Sequence, residues 1–305
     1  MFRTDLAIDA CEFAGIFSSM EASNLTDSSK ISGVTHTHFK QNGYAVSRVQ
    51  VETELAAKQL GKSIGQYVTI ESVLLRNDED DTIPQQFRSQ VVTELMSFLE
   101  RFQLKKDASV LVVGLGNRNV TPDSLGPAVI ERLVVTRHFF EYMPQALKPG
   151  TRAVSVIAPG VLGTTGIETA DVISGLVERI QPDLVIVIDA LASASVSRLH
   201  AAIQITDSGI QPGSGVGNKR KAFSSAEFGR PVLAIGVPTV MYISSILKEM
   251  WQSEHLAFHQ SMQKFQDKQQ DLIVTPKNTD QFIENIAELL AEALNQALHE
   301  SVRVS

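Results

Sequence analysis

Two aspartates stand where a carboxylate can do acid–base work. The first belongs to the run Gly114-Leu115-Gly116-Asn117-Arg118-Asn119-Val120-Thr121-Pro122-Asp123-Ser124-Leu125-Gly126-Pro127, which follows an apolar segment. The second ends a run of aliphatic residues, Ile186-Val187-Ile188-Asp189-Ala190-Leu191. Two carboxylates brought close together do not both ionise easily, so they share a proton. The ionised partner then takes a proton from water as it attacks a carbonyl, and the protonated partner donates to the carbonyl oxygen. Such a pair titrates as a unit, and spacing alone does not say which residue holds the proton. Each aspartate also has a plainer reading. Taken alone, Asp123 reads better as a cap for the helix that Pro127 opens; Asp189 could cap a turn, but at the end of an aliphatic run the functional reading is the stronger one.

Other chemistries find less support. Gly114 and Gly116 begin a G-x-G-x-x-G pattern, but Asn119 stands at the third glycine and no lysine follows in P-loop register. The glycines therefore read as allowing a tight turn and a close backbone approach. There is no G-x-S-x-G elbow, and His138, His200, His255, His259 and His299 pair with no motif serine. His36-Thr37-His38 puts two imidazoles on one strand face, in a hairpin expected to be exposed, and His255 and His259 do not complete H-E-x-x-H. No cofactor and no metal are expected. The run from Thr206 to Lys221 holds four glycines, Gly209, Gly213, Gly215 and Gly217, and the basic triplet Lys219-Arg220-Lys221. It reads equally as an anion- or carbonyl-binding nest and as a surface loop. Asn117, Gly163, Gly213, Gly215 and Lys219 are the candidates for substrate-binding or oxyanion groups.

Elements that would position these residues follow from periodicity. Residues 1–30 are polar and Ser-rich and read as a flexible arm. Two period-two runs flank Gln41-Asn42-Gly43, a hairpin signal, with a third strand expected at 66–73. An amphipathic helix is expected after Pro84, carrying Val91, Leu95, Phe98, Leu99 and Phe102 on one side. Beyond it, strands at 109–115, 153–158, 184–188, 201–206 and 232–237 alternate with helices at 127–142, 168–180, 244–251 and 279–299. That alternation predicts an α/β fold of three layers, a mostly parallel sheet with helices on both faces. A small N-terminal β-hairpin elaborates it, and residues 31–305 form a single domain. In such sheets ligands gather at the carboxyl ends of the strands, where both aspartates fall.

The formal net charge of −7 argues against charge-driven binding to nucleic acid or to an anionic membrane. One cysteine, Cys11, excludes an internal disulfide. The first residues do not resemble a secretory leader, and no apolar run reaches the roughly 20 residues needed to span a bilayer. The expectation is a cytoplasmic protein.

Several long segments resemble one family. They are residues 112–127; the run Ala158-Pro159-Gly160-Val161-Leu162-Gly163-Thr164-Thr165-Gly166-Ile167-Glu168-Thr169; residues 188–192 and 207–221; Ile235-Gly236-Val237-Pro238-Thr239; and Val274-Thr275-Pro276-Lys277. Together with Arg3-Thr4-Asp5-Leu6-Ala7 at the start, they make the chain similar, over nearly its whole length, to the germination proteases of spore-forming bacteria. That resemblance implies an endopeptidase degrading small acid-soluble spore proteins in the spore core when dormancy ends. It implies a fold like that of the hydrogenase maturation endopeptidases, homotetramers made as zymogens, and two catalytic aspartates falling on Asp123 and Asp189. Family substrates are cut between an acidic and an apolar residue, so self-processing is expected at Asp5-Leu6, with Glu12-Phe13 as second choice. Departures lie at Ala194, where the family has arginine, at Met241-Tyr242, and in a shortened stretch between Trp251 and Leu272. Two other readings stay open: a metal-guided maturation peptidase on the same fold, and a non-catalytic nucleotide- or peptide-binding protein.

Overall fold

The computed structural model describes residues 4–16, 27–28, 31–41, 43–76, 84–211, 221–253 and 272–299. Among these described residues ten strands form one sheet: β1 Asp27–Ser28, β2 Val34–Gln41, β3 Tyr44–Val51, β4 Gly65–Glu71, β5 Val110–Gly114, β6 Val154–Ile157, β7 Leu184–Ser193, β8 Ala202–Thr206, β9 Val232–Tyr242 and β10 Ile273–Val274. Their order is β1-β2-β3-β4-β8-β9-β7-β5-β6, with β10 added to β9. Only β9, β7, β5 and β6 run parallel to their neighbours in that part of the sheet. β8 is antiparallel to both β4 and β9, and β1–β4 are antiparallel throughout. The expected mostly parallel sheet is therefore a mixed one. β8 is why: it lies antiparallel between β4 and β9, so the N-terminal hairpin extends the main sheet and is not a separate elaboration. The hairpin itself is as expected, with Gln41 opposite Tyr44 across two intervening residues.

Buried aliphatics on β5 and β7 alternate between two cores, as a strand covered on both faces requires. Val110, Val112, Leu184, Ile186 and Ile188 face one core, where α3 (Gln85–Arg101), α4 (Leu125–Ile130) and the C-terminal helix α10 (Thr279–Leu298) pack. Leu111, Val113, Val185 and Val187 face the other, under Ala170, Ile173 and Val177 of α7 (Thr169–Ile180). Over the antiparallel end of that second face lie α1 (Ala7–Phe13) and α2 (Glu54–Leu60), which cover Val34, Val49, Val51 and Tyr67. The long helix expected at 127–142 is broken. α4 stops at Ile130, and a separate α5 runs Arg137–Tyr142. Between them the Thr136 N–H donates to the Val154 carbonyl, and the Thr136 hydroxyl accepts from the Val154 N–H. Thr136, which closes the β-branched run Val134-Val135-Thr136, thus gains partners on β6 that a helix would forfeit.

The serine-rich composition suggested a flexible arm over residues 1–30, but residues 4–16 are packed into the fold. Leu6, Ala7, Ile8, Asp9 and Cys11 are buried. A buried ion cluster holds them, in which the Arg198 guanidinium donates to Asp9 at 2.7 Å and to Glu12 and Glu71. Asp9 in turn accepts from the Ala194 N–H at 2.7 Å and from the Thr4 hydroxyl at 2.7 Å. His36 and His38, expected to be exposed, are not: His36 is buried, and His38 lies against the Ser47 hydroxyl at 2.8 Å.

Burial raises the Cys11 thiol to about 12, far from the pH at which thiolates react. Cys11 is therefore expected to resist a thiol reagent in the native protein at pH 8 and to react at once in denaturant; rapid labelling of native protein would mean that α1 is not docked. Gly114 makes a second test. A Cβ there would lie 2.3 Å from the Gly126 carbonyl oxygen, so Gly114→Ala should lower stability by about 1–3 kcal/mol, read as a fall in the urea midpoint.

Candidate active site

β5 ends at Gly114, opposite Ile188 of β7. One further bond, from the Leu115 N–H to the Ile188 carbonyl, closes that ladder. Asp189 is thus the first residue of β7 beyond the reach of β5, although β7 itself continues to Ser193 along β9. The expectation that Asp189 ends its strand is corrected accordingly: a shorter neighbour, not the end of its own strand, opens the site. Strand alternation puts Asp189 on the same face as Val185, Val187 and Leu191. It is 6 % exposed, and one carboxylate oxygen accepts from the Ala190 N–H.

Asp123 arrives from the other side of the gap. It closes a short 3-10 turn, Thr121–Asp123, ahead of α4. The cap reading fails here, because no side chain caps α4 and the Asp123 carboxylate folds back to accept from the Asn117 N–H at 2.8 Å. Gly116 adopts φ of 111°, and a Cβ on it would sit 2.0 Å from the Asp123 carbonyl oxygen. The two glycines that begin the incomplete nucleotide pattern therefore let the loop fold tightly over the strand end.

β9 supplies a third support that sequence reasoning did not single out. Leu191 pairs with Pro238 and Ala192 with Val240, so Thr239 is an extra, bulged residue. Its hydroxyl donates to the Pro122 carbonyl at 2.6 Å, which ties the turn bearing Asp123 to the strand beside Asp189. The Thr275 hydroxyl donates to the Thr239 carbonyl at 2.8 Å. The signal available was the Val237-Pro238-Thr239 run, since proline inside a strand marks a break in the ladder.

A cavity of about 400 Å³ lies over this junction, lined by both Asp123 and Asp189 together with Asn117, Thr239, Glu168 and Asp5. Of the other candidates, Asn117 is in the cavity wall, with its backbone N–H bonded to Asp123. Gly163 is not: it is exposed on the short helix α6 (Leu162–Thr165), while its neighbours Gly160 and Val161 line the cavity. Gly213, Gly215 and Lys219 lie outside the described residues. Asp5 lines the cavity and Leu6 is buried against Leu191, whereas Glu12 and Phe13 sit in α1, with Glu12 bound to Arg198. Glu168, at the start of α7, and Arg198 were both missed. Arg198 has no local sequence signature, since its three carboxylate partners come from distant segments. Among the described residues no cluster of three or more His, Cys, Asp or Glu is arranged to hold a metal ion, and no helix is long and apolar enough to cross a membrane.

Fold and site together define an α/β protein with an acidic cleft at the carboxyl ends of its parallel strands. The germination protease family model matches residues 8–270 and 263–305. The chain is 42% identical to the germination protease of Caldanaerobacter subterraneus subsp. tengcongensis, covering 97% of this chain and 94% of that protein. It is 40% identical to that of a Geobacillus species and 39% identical to that of Priestia megaterium, each covering 98% of this chain and 94% of the relative. The chain belongs to the germination protease family, and it is a peptidase.

Thr239→Val keeps the shape of the side chain and deletes its hydrogen bond to Pro122. We expect kcat on a peptide substrate to fall about tenfold or more as Asp123 loses its tether, with a stability loss near 1 kcal/mol. Unchanged kcat in a folded variant would show that Asp123 is held in place without Thr239.

Proposed function

We propose that this protease hydrolyses small acid-soluble spore proteins during germination, with Asp123 and Asp189 acting as one acid–base unit. The observation that carries the reading is that both carboxylates, 66 residues apart by the difference of their numbers, line one cavity at the open end of β5. The ionised carboxylate takes a proton from water while the water oxygen bonds to the peptide carbonyl carbon. The protonated carboxylate gives its proton to the carbonyl oxygen, and a tetrahedral diol forms. A proton then passes to the peptide nitrogen, the C–N bond breaks, and one Asp is left protonated for the next cycle.

The Thr4-Asp5-Leu6-Ala7 segment offers the acidic–apolar pair expected of a self-processing site. Its first three residues precede α1, which begins at Ala7, and Asp5 lines the cavity. Glu12-Phe13 would have to leave a helix and an Arg198 ion pair before a protease could take it in extended form. Asp5-Leu6 is therefore the favoured bond. Assembly into a homotetramer and production as a zymogen belong to the same reading.

Asp123→Asn and Asp189→Asn should each lower hydrolysis of a small acid-soluble spore protein by at least about 100-fold. The double variant should be little worse, because two groups that act together do not contribute additively. Roughly a tenth of wild-type activity surviving in either single variant would sink the paired mechanism. For processing, N-terminal sequencing of the mature protein should begin at Leu6; fully active enzyme that retains Met1 would rule out both bonds.

A further inference from the structure

The cavity over Asp123 and Asp189 is acidic without a balancing cation in its walls. Four lining residues carry carboxylates, Asp5, Asp123, Asp189 and Glu168, and none of the described lining residues is a lysine, an arginine or a histidine. Three of the four accept a backbone N–H: Asp5 from Ala192 at 2.8 Å, Asp123 from Asn117 at 2.8 Å and Asp189 from Ala190 at 2.9 Å. Glu168 differs. It stands at the N-cap of α7 but its side chain caps nothing, and among the described residues it makes no hydrogen bond or ion pair.

Cations on the surrounding elements are engaged elsewhere. The Lys62 ammonium donates to the Thr4 carbonyl at 2.9 Å. Arg118, on the loop that carries Asp123, pairs with Glu131. Lys221 donates to Asp171 at 2.6 Å, within the first turn of α7, and is held chiefly by that bond, with Glu227 and then Glu168 adding lesser pulls. β9 and β10 bring only uncharged residues to the cavity, among them Thr239, Val240 and Ile273.

The backbone beneath Glu168 is fixed. Its carbonyl accepts from the Asp171 N–H at 3.0 Å, and the buried Thr169 hydroxyl donates to the Gly160 carbonyl at 3.1 Å. Negative charge is favoured at the N-terminal end of a helix such as α7, which runs for 12 residues. A proton shared by two carboxylates leaves at a pH set by the charges around them, and a further negative charge within reach raises that pH. A cavity of about 400 Å³ is on the order of 10 Å across, about one Debye length at 0.1 M salt. Apolar walls such as Leu115, Val161 and Phe223 weaken the screening further.

We propose that Glu168 is a positioning residue for the shared proton: its negative charge faces Asp123 and Asp189 across the cavity and keeps one proton on the pair as the pH rises toward neutral. The inference rests on the paired mechanism proposed above. Glu168 exchanges no proton with water or peptide; it acts through the two aspartates. Without its charge the pair ionises fully at lower pH, and the protonated carboxylate that donates to the carbonyl oxygen is lost sooner.

The test is the pH profile of kcat/KM on a peptide substrate, from about pH 4 to about pH 9. In Glu168→Gln the alkaline limb should move to lower pH by about one unit. Activity should then stay within about threefold of wild type on the acidic side of the limb and fall about tenfold beyond it. Glu168→Asp keeps the charge and should keep the limb within about 0.3 unit. Glu168→Ser, which removes the charge but suits a helix N-cap, should repeat the shift and guards against a fault peculiar to the glutamine variant. Raising salt from about 0.05 M to about 0.5 M should narrow the gap between wild type and Glu168→Gln. Native protection of Cys11 reports that each variant is folded. A limb that stays put in both uncharged variants, or activity that falls by one factor at every pH, overturns the inference. Should Asp123→Asn or Asp189→Asn retain activity, the paired mechanism itself falls; if both are inactive and the limb is unmoved, only the role of Glu168 falls.

Discussion

No side chain fits between the end of β5 and the turn that follows it, and the site is built on that contact. A Cβ on Gly114 would meet the Gly126 backbone, and one on Gly116 would meet that of Asp123. With hydrogens there instead, the chain doubles back over the strand end, and Asp123 comes to the lip of the same gap that exposes Asp189. A G-x-G after a strand commonly brings backbone close to a phosphate. Here the backbone it admits is the protein's own.

Two further constraints turn that approach into a defined geometry. β9 carries one residue too many opposite β7, and the surplus residue, Thr239, is aimed at the Pro122 carbonyl. The bulge converts a strand irregularity into a tether between the two aspartate-bearing elements. β7 in turn outruns β5 by five residues, from Asp189 to Ser193. That difference in length produces both the opening above the carboxylates and the strand edge taken by Asp5. The cavity shared by the two aspartates and the place of Asp5 thus have one geometric origin.

The N-terminal segment is secured from behind. Arg198, itself 5 % exposed, gathers Asp9, Glu12 and Glu71, and Asp9 also accepts from the Ala194 N–H. Removing one partner of such a cluster would leave charge buried and uncompensated, which is why its members act together. Through Asp9 it joins α1 to the end of β7, only a few residues from Asp189.

Much of the architecture was legible in the sequence, because periodicity reports burial directly. The continuous aliphatic runs at β5 and β7, the hairpin around Gly43, the helix after Pro84 and the C-terminal helix all follow from which residues must leave water. The two aspartates were legible too, Asp189 at the end of an aliphatic run and Asp123 in the glycine-bearing loop that follows another. What periodicity cannot convey is direction and pairing. β8 has the same alternation whether parallel or antiparallel, so the mixed sheet emerged only when β8 was seen between β4 and β9. The break after α4 came from Thr136 finding partners on β6, and the order of residues 4–16 from Arg198, nearly two hundred positions away. By itself the sequence determined which segments are buried and which side chains could exchange protons. Tertiary structure alone decided that Asp123 and Asp189 share a cavity, and that Asp5 lies beside them. Those proximities depend on hydrogen bonds and close contacts between residues remote in the chain, and no local pattern encodes them.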